Sequence, residues 1–273
     1  MTPRVLMAPP RFLPAIRSER SWVPDSPTLD RGLALKQWHQ LRALVEALVG
    51  PVVGVPAEPW APAMTFTRDL AVVADDIVIP LMPHSIRGPF EAPLTHRFLA
   101  SLGLELTTTV KPLRFDGGNV LADSHGRLLV GVTSDEPATA FVEAVRFLET
   151  ATGRPAYRVP LTGGRFPHID MAVCDLDGQA WLVYPDALPG FDMTDPAWNE
   201  LFLGLPVITA TASDGEQLAC NLVVSGDAVI GPPISPELIR QLTEQNIHYH
   251  RTDLSELRKA GGGAHSLTLE LPG

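Results

Sequence analysis

Cysteine is scarce in this chain: Cys174 and Cys220 are the only two among 273 residues. Two thiols make no disulfide framework, and without a CxxC motif or a Cys/His cluster they make no zinc site. Both lie in apolar runs and read as core fillers. Basic residues are few as well, 21 against 31 acidic ones, for a net charge of -10. The wide cationic surface that would neutralise phosphates is missing, so nucleic acid is not an expected partner, whereas a small cation is electrostatically welcome. No stretch approaches the roughly 18 to 20 uninterrupted apolar residues of a membrane helix. The opening MTPRVLMAPPRF lacks the apolar centre and small-residue cleavage site of a signal peptide. A soluble cytoplasmic protein with no membrane partner is expected. The 27 prolines and 22 glycines are scattered rather than clustered, which implies many short connections and no flexible linker. One domain spanning 1–273 is therefore the expectation.

What the chain does contain is a repeat. Four segments share an apolar run, a tight acidic or glycine turn and a second apolar run: 69–80, 119–131, 170–184 and 220–231. Each reads as a β-hairpin, because β-formers flank Asp-Asp, His-Gly, Asp-Gly and Gly-Asp turns. From Asp75 to His125 to Asp177 to Gly226 the steps are 50, 52 and 49 residues, the regularity of a structural repeat. Between the hairpins, apolar residues at three- and four-residue spacing predict helices over 93–102, 138–150 and 236–245, with a weaker one over 195–203. A further helix over 30–49 stops at Gly50-Pro51. The N-terminal VLMAPP and the C-terminal LTLELP are each half a hairpin. Pairing the two ends would supply a fifth unit, and five ββαβ-like units with pseudo-fivefold symmetry would close into an α/β ring.

A ring gives meaning to polar clusters that an ordinary strand would avoid: Thr67-Arg68-Asp69, Asp116-Gly117-Gly118-Asn119 and His168-Ile169-Asp170. Equivalent positions in such a ring converge near its axis, which would bring three carboxylates and a histidine into one pocket. Asp69 and Asp170 would then either repel each other or bind a cationic group. A guanidinium suits them, being planar and rich in N–H donors that pair with carboxylates. His168, two residues before Asp170, would share its face of a strand and could pass protons near neutral pH. Asp116 could accept from the other ring nitrogen and fix the tautomer. Taken singly, each aspartate is more simply an Asx turn or a cap; the case lies in their convergence. Gly117-Gly118 reads equally as a bulge and as a place where backbone approaches a ligand. His248 and His250 form an HxH with no third ligand nearby, and an ordinary surface strand is the better reading. No metal or cofactor is assigned.

With FTRD at 66–69, FDGGN at 115–119, HID at 168–170, ACN at 219–221 and DLSELRKAGGGAHSLTLEL at 253–271, the chain resembles the guanidino-group-modifying superfamily of arginine deiminases, dimethylarginine dimethylaminohydrolases and amidinotransferases along essentially its whole length. The resemblance implies a five-bladed α/β propeller. It implies that Asp69 and Asp170 hold the guanidinium nitrogens and that His168 is the general acid and base. Asp116 stands where deiminases usually carry glutamate and amidinotransferases aspartate. A small guanidino compound is the implied partner, with a homodimer as the expected assembly.

The chain departs from the family at the nucleophile. Members carry cysteine after the glycine-rich loop, and here the position is Ser266. The guanidinium carbon is a poor electrophile that requires a thiolate, and a serine hydroxyl is far harder to ionise. Ser266 reads as an engineered replacement of that cysteine, which leaves this form inactive, in preference to a natural pseudoenzyme. Gly261, Gly262 and Gly263 could flex to admit substrate. A second departure concerns the substrate: the stretch 131–136, where relatives carry an arginine for the α-carboxylate, is acidic at Asp135 and Glu136. Arg87 matches another arginine that the family uses for the carboxylate, with Arg17 or Arg20 as substitutes: either the ligand is an arginine derivative held by Arg87 alone, or Asp135 and Glu136 face an amine and the ligand lacks a free carboxylate. The function expected is that of a hydrolase of linear amidines resembling dimethylarginine dimethylaminohydrolase or an arginine deiminase or dihydrolase. Its rivals are an amidinotransferase and a guanidine-binding pseudoenzyme. A serine hydrolase using Ser266, His168 and Asp116 ranks last, since no GxSxG elbow surrounds the serine.

Overall fold

The hairpins form where their turns allow a left-handed residue. Asp75 (φ 53°), Gly126 (φ 78°), Asp177 (φ 53°) and Gly226 (φ 58°) each occupy that region, which matches the right-handed twist of the flanking strands. In the computed structural model, which describes residues 4–13, 29–84, 88–108, 113–134 and 138–272, the chain starts with β1 (Arg4–Met7), α1 (Arg31–Leu48) and β2 (Val52–Gly54). Four units follow. They are β3 (Ala71–Ala74), β4 (Ile77–Met82), α2 (Gly88–Ser101) and β5 (Leu113–Arg114); β6 (Val120–Ala122), β7 (Leu128–Val132), α3 (Ala138–Thr152) and β8 (Ala156–Pro160); β9 (Val173–Asp175), β10 (Trp181–Val183), α4 (Pro196–Leu201) and β11 (Val207–Thr209); and, after a short α5 (Ala212–Glu216), β12 (Val223–Ser225), β13 (Ala228–Gly231), α6 (Pro236–Glu244) and β14 (His248–Arg251). A short α7 (Ser255–Lys259) leads to β15 (Leu269–Leu271).

Each unit is a three-stranded sheet in which the hairpin is antiparallel and the strand after the helix lies parallel to the second hairpin strand. The fifth sheet has the order β15-β1-β2, with Arg4 opposite Leu271 and Val5 opposite Val52. The expected pairing of the chain ends is thus present, and the five sheets form the five-bladed α/β propeller. The first strands face inward: β3 packs against both β15 and β6. The helices lie outside, each pressing one apolar stripe onto its sheet. In α1 that stripe is Ala34, Trp38, Leu41 and Val45, and the helix is capped by Asp30, whose carboxylate accepts from the Leu33 amide at 2.9 Å. Where α4 meets the β9–β11 sheet the core is aromatic, with the fully buried Trp181 and Phe202 rings 5.4 Å apart.

One expectation needs correction. Helix α2 begins at Gly88, five residues before Pro93, which lies inside it. Lying past the first turn, Pro93 takes one N–H out of the hydrogen-bond ladder. The polar clusters lie just before the inner strands, as expected: Thr67–Leu70, Gly117–Asn119 and Ile169–Met171 form one-turn 3-10 helices there, with Asp116 and His168 extended ahead of theirs, and a fourth such turn, His265–Leu267, precedes β15. Among the described residues, no helix is long and apolar enough to cross a membrane.

Candidate active site

The one-turn helices form a circle about the axis. Turn 265–267 packs against 67–70, that turn against 117–119, and that one against 169–171. Asn221, in the loop before β12 and fully buried, closes the circle. Its Nδ2 donates to the Asp170 main-chain oxygen at 3.4 Å, and its Oδ1 accepts from the Ser266 amide at 3.1 Å and from Ser266 Oγ at 3.2 Å. The sequence gives ACN as a motif, yet no rule of spacing shows that its amide links two neighbouring blades.

His168 stands between two carboxylates. Its Nε2 is 3.3 Å from Asp116 Oδ2, and its Nδ1 is 3.9 Å from Asp69 Oδ1. Asp116 is held in turn, since its Oδ1 accepts from the His84 amide at 2.8 Å and His84 Nδ1 lies 3.8 Å from Oδ2. His84 is a site residue that sequence reasoning missed, because it acts through its backbone. Asp69 Oδ1 accepts from the Gly118 amide at 3.0 Å. The reasoning that put His168 and Asp170 on one face of a strand is corrected by the geometry: His168 is extended and Asp170 sits in the turn that follows. The two reach the same hub because the turn folds Asp170 back toward the axis.

The glycines of the site create space. A Cβ on Gly117 would lie 2.0 Å from the Arg68 carbonyl oxygen, and one on Gly118 would lie 2.6 Å from His168 Nδ1. Gly262 and Gly263, expected to flex for substrate entry, are tightly surrounded. Added Cβ atoms would meet the Phe66 ring at 2.3 Å and Asn221 Oδ1 at 2.6 Å, so both glycines are needed for close packing around position 266.

Asp170 is 1% exposed and neither of its carboxylate oxygens has a hydrogen-bond partner. Burial pushes its pKa up from 3.8 to about 6, reinforced by Asp69 and opposed by His168, Arg68 and the nearby amide of Asn221. A buried, unsatisfied carboxylate beside a second one is a poor structural element and a good receptor for a hydrogen-bonding cation. Ser266 is buried nearby at 7% exposure. Of the residues expected in the site, Asp69, Asp116, His168, Asp170 and Ser266 therefore gather at one hub, while Arg87 and Asp135, like Glu136, Arg17 and Arg20, lie outside the described residues. Burial raises the thiol pKa of both Cys174 and Cys220, which fits inert core thiols. Among the described residues, no three histidine, cysteine, aspartate or glutamate side chains gather as a metal site. His248 and His250 lie on β14, where His248 is exposed beside Asp227.

Five three-stranded blades surround a hub of turns in which buried carboxylates flank a histidine, and the chain is similar to enzymes that act on guanidino compounds. Dimethylarginine dimethylaminohydrolase of Mycobacterium tuberculosis is 25% identical over 271 residues, covering 99% of this chain and 86% of that protein. The bifunctional arginine dihydrolase/ornithine cyclodeaminase ArgZ of Synechocystis sp. is 27% identical over 279 residues, covering 98% of this chain and 37% of that protein. The chain thus spans little more than a third of that bifunctional relative. No family model matches. Among solved structures, the N-terminal domain of ArgZ in a cysteine-to-serine variant bound to substrate superposes with a TM-score of 0.89 at 24% identity, over 99% of this chain and 98% of that one. Dimethylarginine dimethylaminohydrolase of Pseudomonas aeruginosa, a cysteine-to-serine variant complexed with citrulline, gives 0.79 at 17% identity, over 99% of this chain and 100% of that one.

Proposed function

We propose that this chain is a guanidine-modifying hydrolase whose hub binds the guanidinium of arginine or an arginine derivative, and that Ser266 occupies the place of its nucleophilic thiol. The observation that carries this reading is Asp170: a carboxylate with no hydrogen-bond partner, buried beside Asp69 and His168. A guanidinium supplies the donors that Asp170 lacks, extends its charge toward Asp69 and holds its central carbon over position 266. The names of the homologues, arginine dihydrolase and dimethylarginine dimethylaminohydrolase, agree with that chemistry.

With cysteine at position 266, the thiolate attacks the guanidinium carbon and His168, oriented by Asp116, gives its proton to the departing amine. The C–N bond breaks and an amidino thioether remains. His168 then takes a proton from water, which adds to the same carbon. The C–S bond breaks, releasing the ureido product and restoring the thiolate. Serine stops this sequence at binding, because its hydroxyl does not ionise readily enough to attack. The experiment is mass spectrometry of Ser266→Cys exposed to L-arginine and to its N-methylated derivatives, beside binding measurements on the unaltered chain. Binding by the serine form together with an adduct or ammonia or methylamine release by the cysteine form supports a hydrolase. Turnover only with an added acceptor amine identifies an amidinotransferase. Binding by both forms with turnover by neither identifies a guanidine-binding pseudoenzyme.

A further inference from the structure

The hub occupies one end of the channel enclosed by the inner strands, and the other end holds a second chamber. There β3, β6, β9, β12 and β15 line a cavity of about 370 Å³, within the range of small-molecule sites. Asp69, Asp116, His168, Asp170 and Ser266 do not line it.

Its inner end carries an unspent positive charge. Arg68 lines the cavity and is 8% exposed. Its Nη2 donates to the Val120 main-chain oxygen at 2.6 Å, and its buried Nε has no partner. Asp170, Glu270 and Asp69 act on this guanidinium from a distance, and none forms a direct ion pair with it. Most other charges of the chamber are already committed. Arg154 is bound to Asp75 at 2.8 Å, Asp123 to Arg127 at 2.7 Å, and Asp175 accepts from the Ser124 amide and hydroxyl at 2.7 Å. Two exposed carboxylates remain, Glu270 on β15 and Asp177 in the β9–β10 turn. Between the buried cation and this acidic rim the wall is aliphatic, with Val73, Leu121 and Val224.

A simple anion would satisfy Arg68 and be repelled by the rim, and a simple cation would suffer the reverse. We propose that this chamber binds a small zwitterionic α-amino acid with an aliphatic side chain, its carboxylate accepting from the Arg68 guanidinium and its ammonium group facing Glu270 and Asp177. The site is separate from the guanidine hub and does not rest on the function proposed for it.

The test is calorimetric titration of the unaltered chain with L-valine, with 3-methylbutanoate, which lacks the amine, and with isobutylamine, which lacks the carboxylate. L-Valine is expected to bind roughly tenfold more tightly than either analogue, the scale of one charge-assisted contact. Glu270→Gln should weaken it several-fold, and Ala122→Phe, which fills the chamber from β6, should abolish it. If Ala122→Phe does not fold, the pair Glu270→Gln and Asp177→Asn decides. No L-valine binding at millimolar concentration, an analogue binding equally well, or affinity unmoved by the substitutions would overturn the proposal.

Discussion

Asp170 is a residue at which binding and stability pull in opposite directions. Between pH 3.8 and about 6 the unfolded chain has given up this proton while the folded chain keeps it. Stability therefore falls as pH rises through that window, and at neutral pH the charged, unpartnered carboxylate destabilises the fold by about 3 kcal/mol. Asp170→Asn is expected to recover up to that amount in urea unfolding at neutral pH and to recover little at the acid end of the window. The charge that costs stability is the one a guanidinium needs. Affinity of the unaltered chain for L-arginine should rise roughly tenfold per pH unit up to about 6 and then level off, whereas the asparagine variant should lose both the affinity and the slope. Asn221 makes the opposite case, since its side-chain amide makes three hydrogen bonds within the protein. Asn221→Ala should destabilise by about 1 to 3 kcal/mol, and in the Ser266→Cys background it should slow adduct formation by loosening position 266. Asp69, Asp116, His168 and Asp170 were legible in the sequence because their chemistry is unusual beside a strand. The unsatisfied state of Asp170 and the bridging role of Asn221 were not, because both depend on neighbours from other blades.

At the scale of elements, the hairpins were legible because turn chemistry is local: Asp177-Gly178 between apolar runs specifies its conformation within a few residues. The outer helices were legible through their period, as in α3 and α6. The hub turns had no such signal, since a single 3-10 turn has no periodicity to detect, and the glycines of the 261–263 loop looked mobile for want of knowing what they face. That difference gives a paired prediction. Gly262→Ala would drive a methyl group to 2.3 Å from the Phe66 ring and should destabilise by about 1 to 3 kcal/mol. Gly54→Ala, at the end of β2 with nothing within 4 Å of the added carbon, should change stability by no more than ~0.5 kcal/mol. Equal effects in thermal unfolding would mean that the loop has room to yield.

On the scale of the whole molecule, the ring is closed by hydrogen bonds between the two ends of the chain, through β1 and β15. This was legible because the repeat left half a hairpin at each end. Closure without a covalent bond has a consequence. Arg4 lies opposite Leu271, so a short Gly/Ser linker can join Pro272 to Arg4. New ends can then be opened between Gly226 and Asp227, which are exposed in the β12–β13 turn. This permutant is expected to fold and to keep the pH-dependent guanidine affinity of the unaltered chain, because every blade retains its partners. Deleting residues 269–273 should do far more harm, because it removes β15 and its pairing with β1. It takes Leu269 and Leu271 out of the core they share with Leu6 and Leu70, a loss of about 3 to 6 kcal/mol in burial alone against a typical total stability of about 5 to 15. It also unpairs β1 and frees the turn that carries Ser266. Urea unfolding followed by tryptophan fluorescence should show one cooperative transition for the permutant and a broad or absent one for the truncated chain. A truncated chain that unfolded as sharply as the parent would mean that the four covalently continuous blades hold the hub without the fifth.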